Sequence, residues 1–275
     1  MFRHLRSMAG VLLVLATLSL AVLAATPPPN HSSIETAVTG QDPGKTPEVS
    51  TEELRAILAK GSATVFDARP HAEYGMGHIP GAKNVAAKPG VPISEYVSDV
   101  AEIGRVLKDD KAAPIVLYCN GPFCGKSRRL ADELTAAGYT NVRRYQLGIP
   151  VWRALGGACQ MSLQAFRSVL EKDRTAVIID GREAAEFNQL ALPNSRNIPR
   201  SLVLEGKDVG EVKKAKDDGR LPMEDHNTRI IVLASDGPSA RYVAEALAHE
   251  AFHNVSYLDG TLAQARAAAA DSLQK

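Results

Sequence analysis

The chain carries, at residues 116–127, the sequence VLYCNGPFCGKS, which follows a proline and alanine segment and leads into a stretch with helical periodicity. This order predicts a buried strand, a tight loop and a helix, with Cys119 at the carboxyl end of the strand. Backbone N–H groups and the positive end of the helix dipole converge there, so we expect a Cys119 thiolate with a lowered pKa. The alternative is a small buried cysteine without chemistry, which is how most free cysteines behave.

Four blocks of the chain occur twice in the same order. The pairs are VFDAR at 65–69 with IIDGR at 178–182, EY at 73–74 with EF at 186–187, HIPGAKNV at 78–85 with ALPNSRNI at 191–198, and LYCNGP at 117–122 with LASDGP at 233–238. Such repetition predicts two copies of one domain of about 110 residues, an ordinary domain size. We place the copies at residues 48–157 and 158–275. Alternating strand and helix patterns predict an α/β fold with parallel sheets.

The first copy resembles the rhodanese (sulfurtransferase) family. The matching features are DAR at 67–69, EY at 73–74, GHIPGA at 77–82 and the strand that ends in Cys119 before a glycine-bearing loop. The resemblance covers most of both copies. It implies two rhodanese-like domains, each with a central parallel sheet flanked by helices, and a cysteine that carries sulfane sulfur as a persulfide. It implies no metal or organic cofactor.

By this resemblance Cys119 is the catalytic sulfur carrier of a thiosulfate sulfurtransferase type of enzyme. Its partners would be a small-molecule sulfur donor and a thiol or protein acceptor. The predicted substrate-binding residues are Asn120, Gly121, Phe123, Cys124, Gly125, Lys126, Ser127 and Arg128. Backbone N–H groups of the loop would stabilise the anion, and Lys126 and Arg128 would attract an anionic donor. Family loops are usually about two residues shorter and often have an arginine in place of Cys124, so the donor stays open.

Cys124 has three possible roles in this sequence. Because it follows Cys119 by five residues in one loop, the two thiols could form a disulfide and act as a redox couple. Cys124 could also resolve the persulfide, or it could simply pack against the core. Two alternative functions therefore stand beside sulfur transfer: a thiol–disulfide redox protein and a non-catalytic binding module. The third cysteine, Cys159, falls between the copies and is expected to be buried or unpaired.

The second copy is expected to lack sulfur chemistry, since Ser235 stands where Cys119 stands in the first copy. A serine hydroxyl cannot carry a persulfide, which leaves a structural or docking role. A contribution of Arg241 to the wall of the Cys119 pocket is an additional possibility. Asp67 and Arg69 are interpreted as a structural ion pair at the strand end rather than as an acid–base pair.

Two other motifs are interpreted as coincidental. The sequence HEAFH at 249–253 matches the zinc-protease pattern, whose chemistry needs both histidines on one face of a continuous helix. The repeat places His253 beyond the end of that helix. A cysteine phosphatase needs an arginine six residues after its nucleophile to bind phosphate through two hydrogen bonds, and this chain has Gly125 there.

The amino-terminal residues are typical of an export signal. Arg3 and Arg6 precede the apolar stretch 9–23, and small residues follow it, so we expect a signal peptide over 1–24 and a flexible linker over 25–47. An uncleaved anchor is the alternative. Cleavage leaves 30 basic and 31 acidic residues, a balance that indicates no nucleic-acid partner. We expect a periplasmic or secreted protein that meets a membrane only through this signal.

Local patterns define some element boundaries. Ser50 and Glu53 fit a capping box that begins a helix ending at Gly61. Apolar spacing predicts further helices at 93–107 and 127–137, and buried strands at 65–67 and 114–118. In the second copy the first helix is expected to begin near Ser162.

Overall fold

A computed structural model describes residues 45–87, 90, 92 and 98–273, the side chains of the last three excepted. The expected signal peptide and most of the expected linker therefore lie outside the described residues. Within the described ranges, no helix is both long and apolar enough to span a bilayer.

The first domain has a parallel sheet of four strands in the order β2-β1-β3-β4. Its strands are β1 (Thr64–Asp67), β2 (Lys83–Asn84), β3 (Ile115–Tyr118) and β4 (Val142–Tyr145), and its helices are α1 (Thr51–Lys60), α2 (His71–Met76), α3 (Asp99–Leu107), α4 (Lys126–Ala136) and α5 (Gly148–Ala154). All four residues of β3 are buried, as an apolar run in a central parallel strand should be. The predicted α/β fold with a parallel sheet is confirmed.

The second domain repeats this plan with a parallel sheet of five strands in the order β5-β9-β8-β6-β7. The strands are β5 (Cys159–Met161), β6 (Val177–Asp180), β7 (Arg196–Asn197), β8 (Ile230–Leu233) and β9 (Val255–Leu258); the helices are α6 (Leu163–Lys172), α7 (Ala184–Gln189), α8 (Gly210–Asp217), α9 (Gly237–His249) and α10 (Leu262–Leu273), with a 3-10 turn at Arg200–Leu202. The first domain has a counterpart of β5, because Glu48 forms a parallel bridge with Arg144 on the outer side of β4.

Helix ends follow the local sequence signals. Ser50 accepts a hydrogen bond from the Glu53 amide at 3.1 Å, and Gly61 ends α1 with a φ of 60°. Ser162 caps α6 in the same way, accepting from the Ala165 amide. The predicted helix at 93–107 is described only from Asp99, where Ser98 caps it; residues 93–97 lie outside the described ranges.

The two domains contact each other through main-chain hydrogen bonds. His78 and Gln160 form an antiparallel bridge, with N–O distances of 3.0 and 2.9 Å. The Ser162 amide also donates to the Gly75 carbonyl oxygen at 2.9 Å. The turn after α2 in the first domain is therefore joined to the strand and helix start that open the second domain.

Candidate functional site: the Cys119 loop

Cys119 lies directly after β3, at the carboxyl edge of the first sheet, as predicted. Its carbonyl oxygen accepts a hydrogen bond from the Ile149 amide at 3.1 Å. Gly148 makes this approach possible, because it adopts a φ of 64° and a Cβ there would lie 2.3 Å from that oxygen. The loop between β4 and α5 thus fixes the main chain of Cys119.

The chain after Cys119 folds back on itself through a tight turn. Gly121 has a φ of 95°, and its carbonyl oxygen accepts a hydrogen bond from the Cys124 amide at 2.9 Å. Helix α4 then begins at Lys126, with Gly125 as its N-cap. This turn returns the chain to the sulfur atom, which is why Cys124 and Ser127 both contact it.

The thiol of Cys119 contacts two residues of the loop: the carbonyl oxygen of Cys124 accepts a hydrogen bond from it, and Ser127 provides hydrogen-bond donors. Its Sγ donates to the Cys124 carbonyl oxygen at 3.1 Å and lies 3.4 Å from the Ser127 hydroxyl oxygen. The residue is only 1% exposed. Burial, followed by the side-chain hydrogen bond with Cys124, raises the pKa of Cys119 to about 11, although Ser127 hydroxyl and amide hydrogen bonds act in the opposite direction.

The prediction of a lowered pKa at Cys119 is therefore wrong for the described conformation. The sequence pattern correctly placed the sulfur near the start of α4, but it did not show that the Cys124 peptide directs its oxygen, not an N–H, at the sulfur. A carbonyl oxygen stabilises the neutral thiol and destabilises a thiolate. Forming the anion requires this peptide to turn or the sulfur to move.

The other predicted binding residues occupy different parts of the loop. Asn120 is exposed and donates from Nδ2 to the Glu73 carboxylate at 2.7 Å, which links the loop to α2. Phe123 is 80% exposed at the tip of the turn. Lys126 is exposed and Arg128 half-buried in the first turn of α4. Thus Ser127 and Cys124 contact the sulfur, whereas the described contacts place no side chain of the other predicted residues against it.

A buried network supports β3 just before Cys119. Tyr118 donates its hydroxyl to Asp67 at 2.6 Å and accepts from the Ile79 amide at 3.1 Å. Asp67 also pairs with Arg69, whose Nη2 lies 2.6 Å from the carboxylate and 2.8 Å from the Gly77 carbonyl oxygen. The predicted structural ion pair is confirmed.

Sequence reasoning did not identify Tyr118 or Ile149 as supports of the site. For Ile149 the sequence contained a signal. The residues just before it, from Tyr145 to Gly148, have the same Tyr-to-Gly spacing as Tyr257 to Gly260 in the second copy, which marks this turn as part of the repeat. For Tyr118 the repeat offers none, since the second copy has Ala234 at that position. The bond from Tyr118 to Asp67 spans 51 residues and depends on the pairing of β1 with β3.

The matching loop of the second domain contains its own anions. Asp236 follows Ser235 and accepts a hydrogen bond from the Ser239 amide at 2.7 Å, so its carboxylate occupies the amino end of α9. Gly237 packs against Asp259 so closely that a Cβ there would lie 2.0 Å from the Asp259 Oδ1. These two carboxylates place negative charge at the start of α9, which disfavours the binding of an anion there.

Arg241 does not reach the Cys119 loop. It pairs with Glu245 at 2.7 Å and lines a cavity between the domains, to which Pro238 and Trp152 also contribute. No residue from 119 to 128 lines this cavity. The suggested contribution of Arg241 to the wall of the Cys119 pocket is therefore not found.

The remaining cysteine and the zinc-like motif have structural roles. Cys159 is buried and accepts a weak hydrogen bond from Nε of Arg153 at 3.3 Å. In the HEAFH motif, His249 ends α9, Glu250 is buried against Lys216 at 2.7 Å, and His253 follows a turn. No described group of three or more His, Cys, Asp or Glu side chains is arranged to hold a metal ion.

Two segments of the chain, residues 50–155 and 162–268, match the family model described as "Rhodanese-like domain". The chain belongs to the rhodanese family. Together the matched segments cover most of the sequence. The first contains the whole four-stranded sheet and the second contains the five-stranded sheet except β5, so the protein is a tandem rhodanese.

Several curated proteins are similar to this rhodanese. The HTH-type transcriptional regulator Rv0324 of Mycobacterium tuberculosis is 35% identical over 124 residues, 44% of this chain and 49% of the relative. The putative thiosulfate sulfurtransferase SseB of the same species is 26% identical over 253 residues, 73% of this chain and 87% of the relative. The human thiosulfate:glutathione sulfurtransferase is 33% identical over 115 residues, 38% of this chain and 92% of the relative.

One similar solved structure is SseA from Escherichia coli, described as a 3-mercaptopyruvate sulfotransferase with the rhodanese fold. It is 22% identical, with 79% of this chain and 99% of that chain covered, at a TM-score of 0.34. The chain spans about half the length of the transcriptional regulator and most of the length of both sulfurtransferase relatives.

Proposed function

We propose that this tandem rhodanese is a sulfurtransferase in which Cys119 carries sulfane sulfur from a donor such as thiosulfate to a thiophilic acceptor. The observation that carries the proposal is the position of Cys119 at the carboxyl end of β3, with the 120–125 loop folded over its sulfur and Ser127 donors beside it. Two relatives that bear thiosulfate sulfurtransferase names support the same chemistry.

The reaction has two displacement steps. The Cys119 thiol loses its proton to solvent, and the thiolate attacks the outer sulfur of thiosulfate. A bond forms between Sγ and that sulfur while the S–S bond of thiosulfate breaks, and sulfite leaves with the electron pair. A nucleophilic acceptor then attacks the outer sulfur of the Cys119 persulfide and restores the thiolate.

The loop has to stabilise anions in both steps. The Ser127 hydroxyl and amide hydrogen bonds already favour a thiolate at Cys119. The Cys124 carbonyl oxygen opposes it at 3.1 Å. A rotation of the peptide between Cys124 and Gly125 would replace this oxygen by the Gly125 N–H group, and glycine permits the positive φ that such a rotation creates.

The second domain serves a structural role in this proposal. Ser235 cannot form a persulfide, and Asp236 and Asp259 occupy the place where an anionic donor would bind. Its contacts with the turn that follows α2 hold that turn in place, and Ile79 of the same turn donates to Tyr118.

We further propose that the protein is exported. The support is sequence alone: Arg3 and Arg6, the apolar stretch 9–23 and the linker rich in proline and small polar residues. Amino-terminal sequencing of the protein recovered from cell fractions tests this. A mature chain that begins near residue 25 outside the cytoplasm would agree with it; an intact Met1 in the cytoplasm would contradict it.

The test of function is sulfite release from thiosulfate with cyanide as acceptor, together with the intact mass of the reduced, desalted protein after it meets thiosulfate. We expect catalytic sulfite release and a species heavier by one sulfur atom in the wild type. Cys119→Ser should show neither, whereas Cys159→Ser, which removes a buried thiol outside the loop, should show both. Persistent sulfite release by Cys119→Ser contradicts the proposal.

One observation favours the redox alternative, namely the position of Cys124 in the same loop, with its carbonyl oxygen 3.1 Å from the Cys119 sulfur. The same mass measurement separates the two functions. A redox couple would give a species that is lighter by two hydrogen atoms and has a disulfide between Cys119 and Cys124. This disulfide would form when the protein reacts with an oxidised dithiol, not when it reacts with thiosulfate.

A further inference from the structure

The two loop cysteines differ in their access to solvent. Cys119 is 1% exposed, whereas Cys124 is half-buried and follows Phe123, which is 80% exposed. A small donor can enter such a loop when it opens. The thiol of a protein acceptor is attached to a bulky surface and has more difficulty reaching a sulfur atom on a buried side chain.

The turn holds both cysteines against the same apolar cluster. The hydrogen bond from the Cys124 amide to Gly121 folds residues 121–124 back, so that the Cys124 carbonyl oxygen lies 3.1 Å from the Cys119 sulfur. Both side chains pack with the cluster that includes Leu130. An additional sulfur on Cys119 extends its reach by about 2 Å, one S–S bond length.

From this arrangement we infer that Cys124 is a second sulfur carrier, which accepts sulfane sulfur from the buried Cys119 and presents it to a protein thiol at the surface. The inference rests on the proposed function of Cys119. It makes Cys124 a catalytic residue rather than a packing residue, and it gives the enzyme a macromolecular acceptor.

The relay step is a thiol–persulfide exchange. The Cys124 thiolate attacks the outer sulfur of the Cys119 persulfide, a bond forms between that sulfur and Cys124 Sγ, and the bond to Cys119 Sγ breaks. The electron pair stays on Cys119, which recovers the proton that Cys124 gave to solvent. No net oxidation or reduction occurs, so the step needs no further reactant.

The position of the sulfur can be read directly. The protein is treated with one equivalent of thiosulfate, alkylated with a haloacetamide and digested with chymotrypsin, whose cleavage after Phe123 separates the two cysteines. We expect most of the additional sulfur on Cys124 in the wild type. In Cys124→Ser it should remain on Cys119.

Acceptor size provides the second readout. Cyanide is small enough to reach Cys119, whereas a reduced protein dithiol such as thioredoxin is not. In Cys124→Ser the rate of transfer to thioredoxin, divided by the rate of transfer to cyanide, should therefore fall at least tenfold from its wild-type value. Cys124→Ala should behave in the same way, and Cys159→Ser should match wild type with both acceptors.

Two outcomes are distinguishable failures. If wild-type sulfur remains on Cys119 and Cys124→Ser serves both acceptors at the wild-type rate, the relay is wrong and the proposed function stands. If Cys119→Ser still releases sulfite and carries sulfur on Cys124, the roles are reversed and both the relay and the assignment of Cys119 are wrong.

Discussion

The Cys119 thiol donates a hydrogen bond to the main-chain carbonyl oxygen of Cys124, with 3.1 Å between sulfur and oxygen. This hydrogen bond holds the thiol in its neutral form, in a loop that begins at the end of β3 and ends at the start of α4. Reactivity therefore depends on what the peptide after Cys124 does when a donor binds.

The raised pKa of Cys119 predicts a distinctive pH dependence of its reactivity. With a pKa of about 11, the thiolate fraction should rise about tenfold for each pH unit between pH 8 and 10. Alkylation of Cys119 by iodoacetamide, followed by peptide mapping, should show this rise without levelling off below about pH 10.

The unfolded chain is the control for that profile. In concentrated urea the alkylation rate of the same peptide should reach half its maximum at about pH 8.5 and level off above about pH 9.5, because an exposed cysteine has a pKa of about 8.5. A folded protein whose Cys119 already reacts at a constant rate at pH 7 would show that the described loop conformation is not the resting one in solution.

Replacing Ser127 by alanine should weaken the first chemical step. The hydroxyl lies 3.4 Å from the Cys119 sulfur and lowers its pKa, so its loss should reduce single-turnover sulfite release by about fivefold to tenfold, the equivalent of one hydrogen bond. Ser239→Ala, in the first turn of α9, is the matched control. Equal rates for Ser127→Ala and wild type would exclude Ser127 from the reaction.

Gly125→Ala tests whether the loop peptide must rotate. In the described conformation Gly125 has a φ of −68° and a Cβ would meet no atom within 4 Å, so folding stability should be unchanged. A rotated peptide gives residue 125 a positive φ, which costs alanine about 1–2 kcal/mol. We expect sulfite release to fall about tenfold with an unaltered thermal midpoint; full activity would show that no rotation is needed.

Tyr118→Phe should destabilise the first domain. Its hydroxyl donates to the buried Asp67 carboxylate at 2.6 Å, so its removal should lower the free energy of unfolding by about 2 kcal/mol in urea titrations. Tyr139→Phe is the matched control, because among the described residues nothing pairs with the equally buried Tyr139 hydroxyl. Similar losses in the two variants would show that Tyr118 contributes only through packing.

A cysteine alone should not make the second domain active. In a Cys119→Ser background, Ser235→Cys should leave sulfite release at the background rate, since Asp236 and Asp259 repel an anionic donor. Thermal unfolding would confirm that the double variant is folded. A persulfide on the introduced thiol of that variant, detected by peptide mapping, would show that the carboxylates do not block the loop.

Much of the architecture could be predicted because it depends on local sequence. The paired blocks at 65–69 and 178–182 place Asp67 and Asp180 at the ends of β1 and β6, and each carboxylate binds the arginine two residues later. The strand, loop and helix around Cys119 also follow from local pattern. Residues close together in sequence determine these features, so a single sequence is enough to predict them.

The chemistry of the loop could not be predicted in the same way. The direction of the Cys124 carbonyl depends on the φ of Gly121 and on a turn hydrogen bond, neither of which residue types determine. The contact of Asp259 with Gly237 joins residues that are far apart in sequence. The pKa of a thiol depends on its burial and on the orientation of neighbouring dipoles such as the Cys124 carbonyl. The sequence therefore predicted the position of Cys119 but not the direction of its pKa shift.

The network around Tyr118 also defines which atoms can move. Tyr118 is attached to Asp67 on one side and to the Ile79 amide on the other, and the next residue accepts a hydrogen bond from Ile149. These hydrogen bonds hold the main chain before the sulfur in place. Any opening of the loop must therefore occur in the few peptides between Asn120 and Gly125. An enzyme built in this way can rearrange its reactive centre at small entropic cost, because only the loop residues change conformation and the strands of the sheet do not.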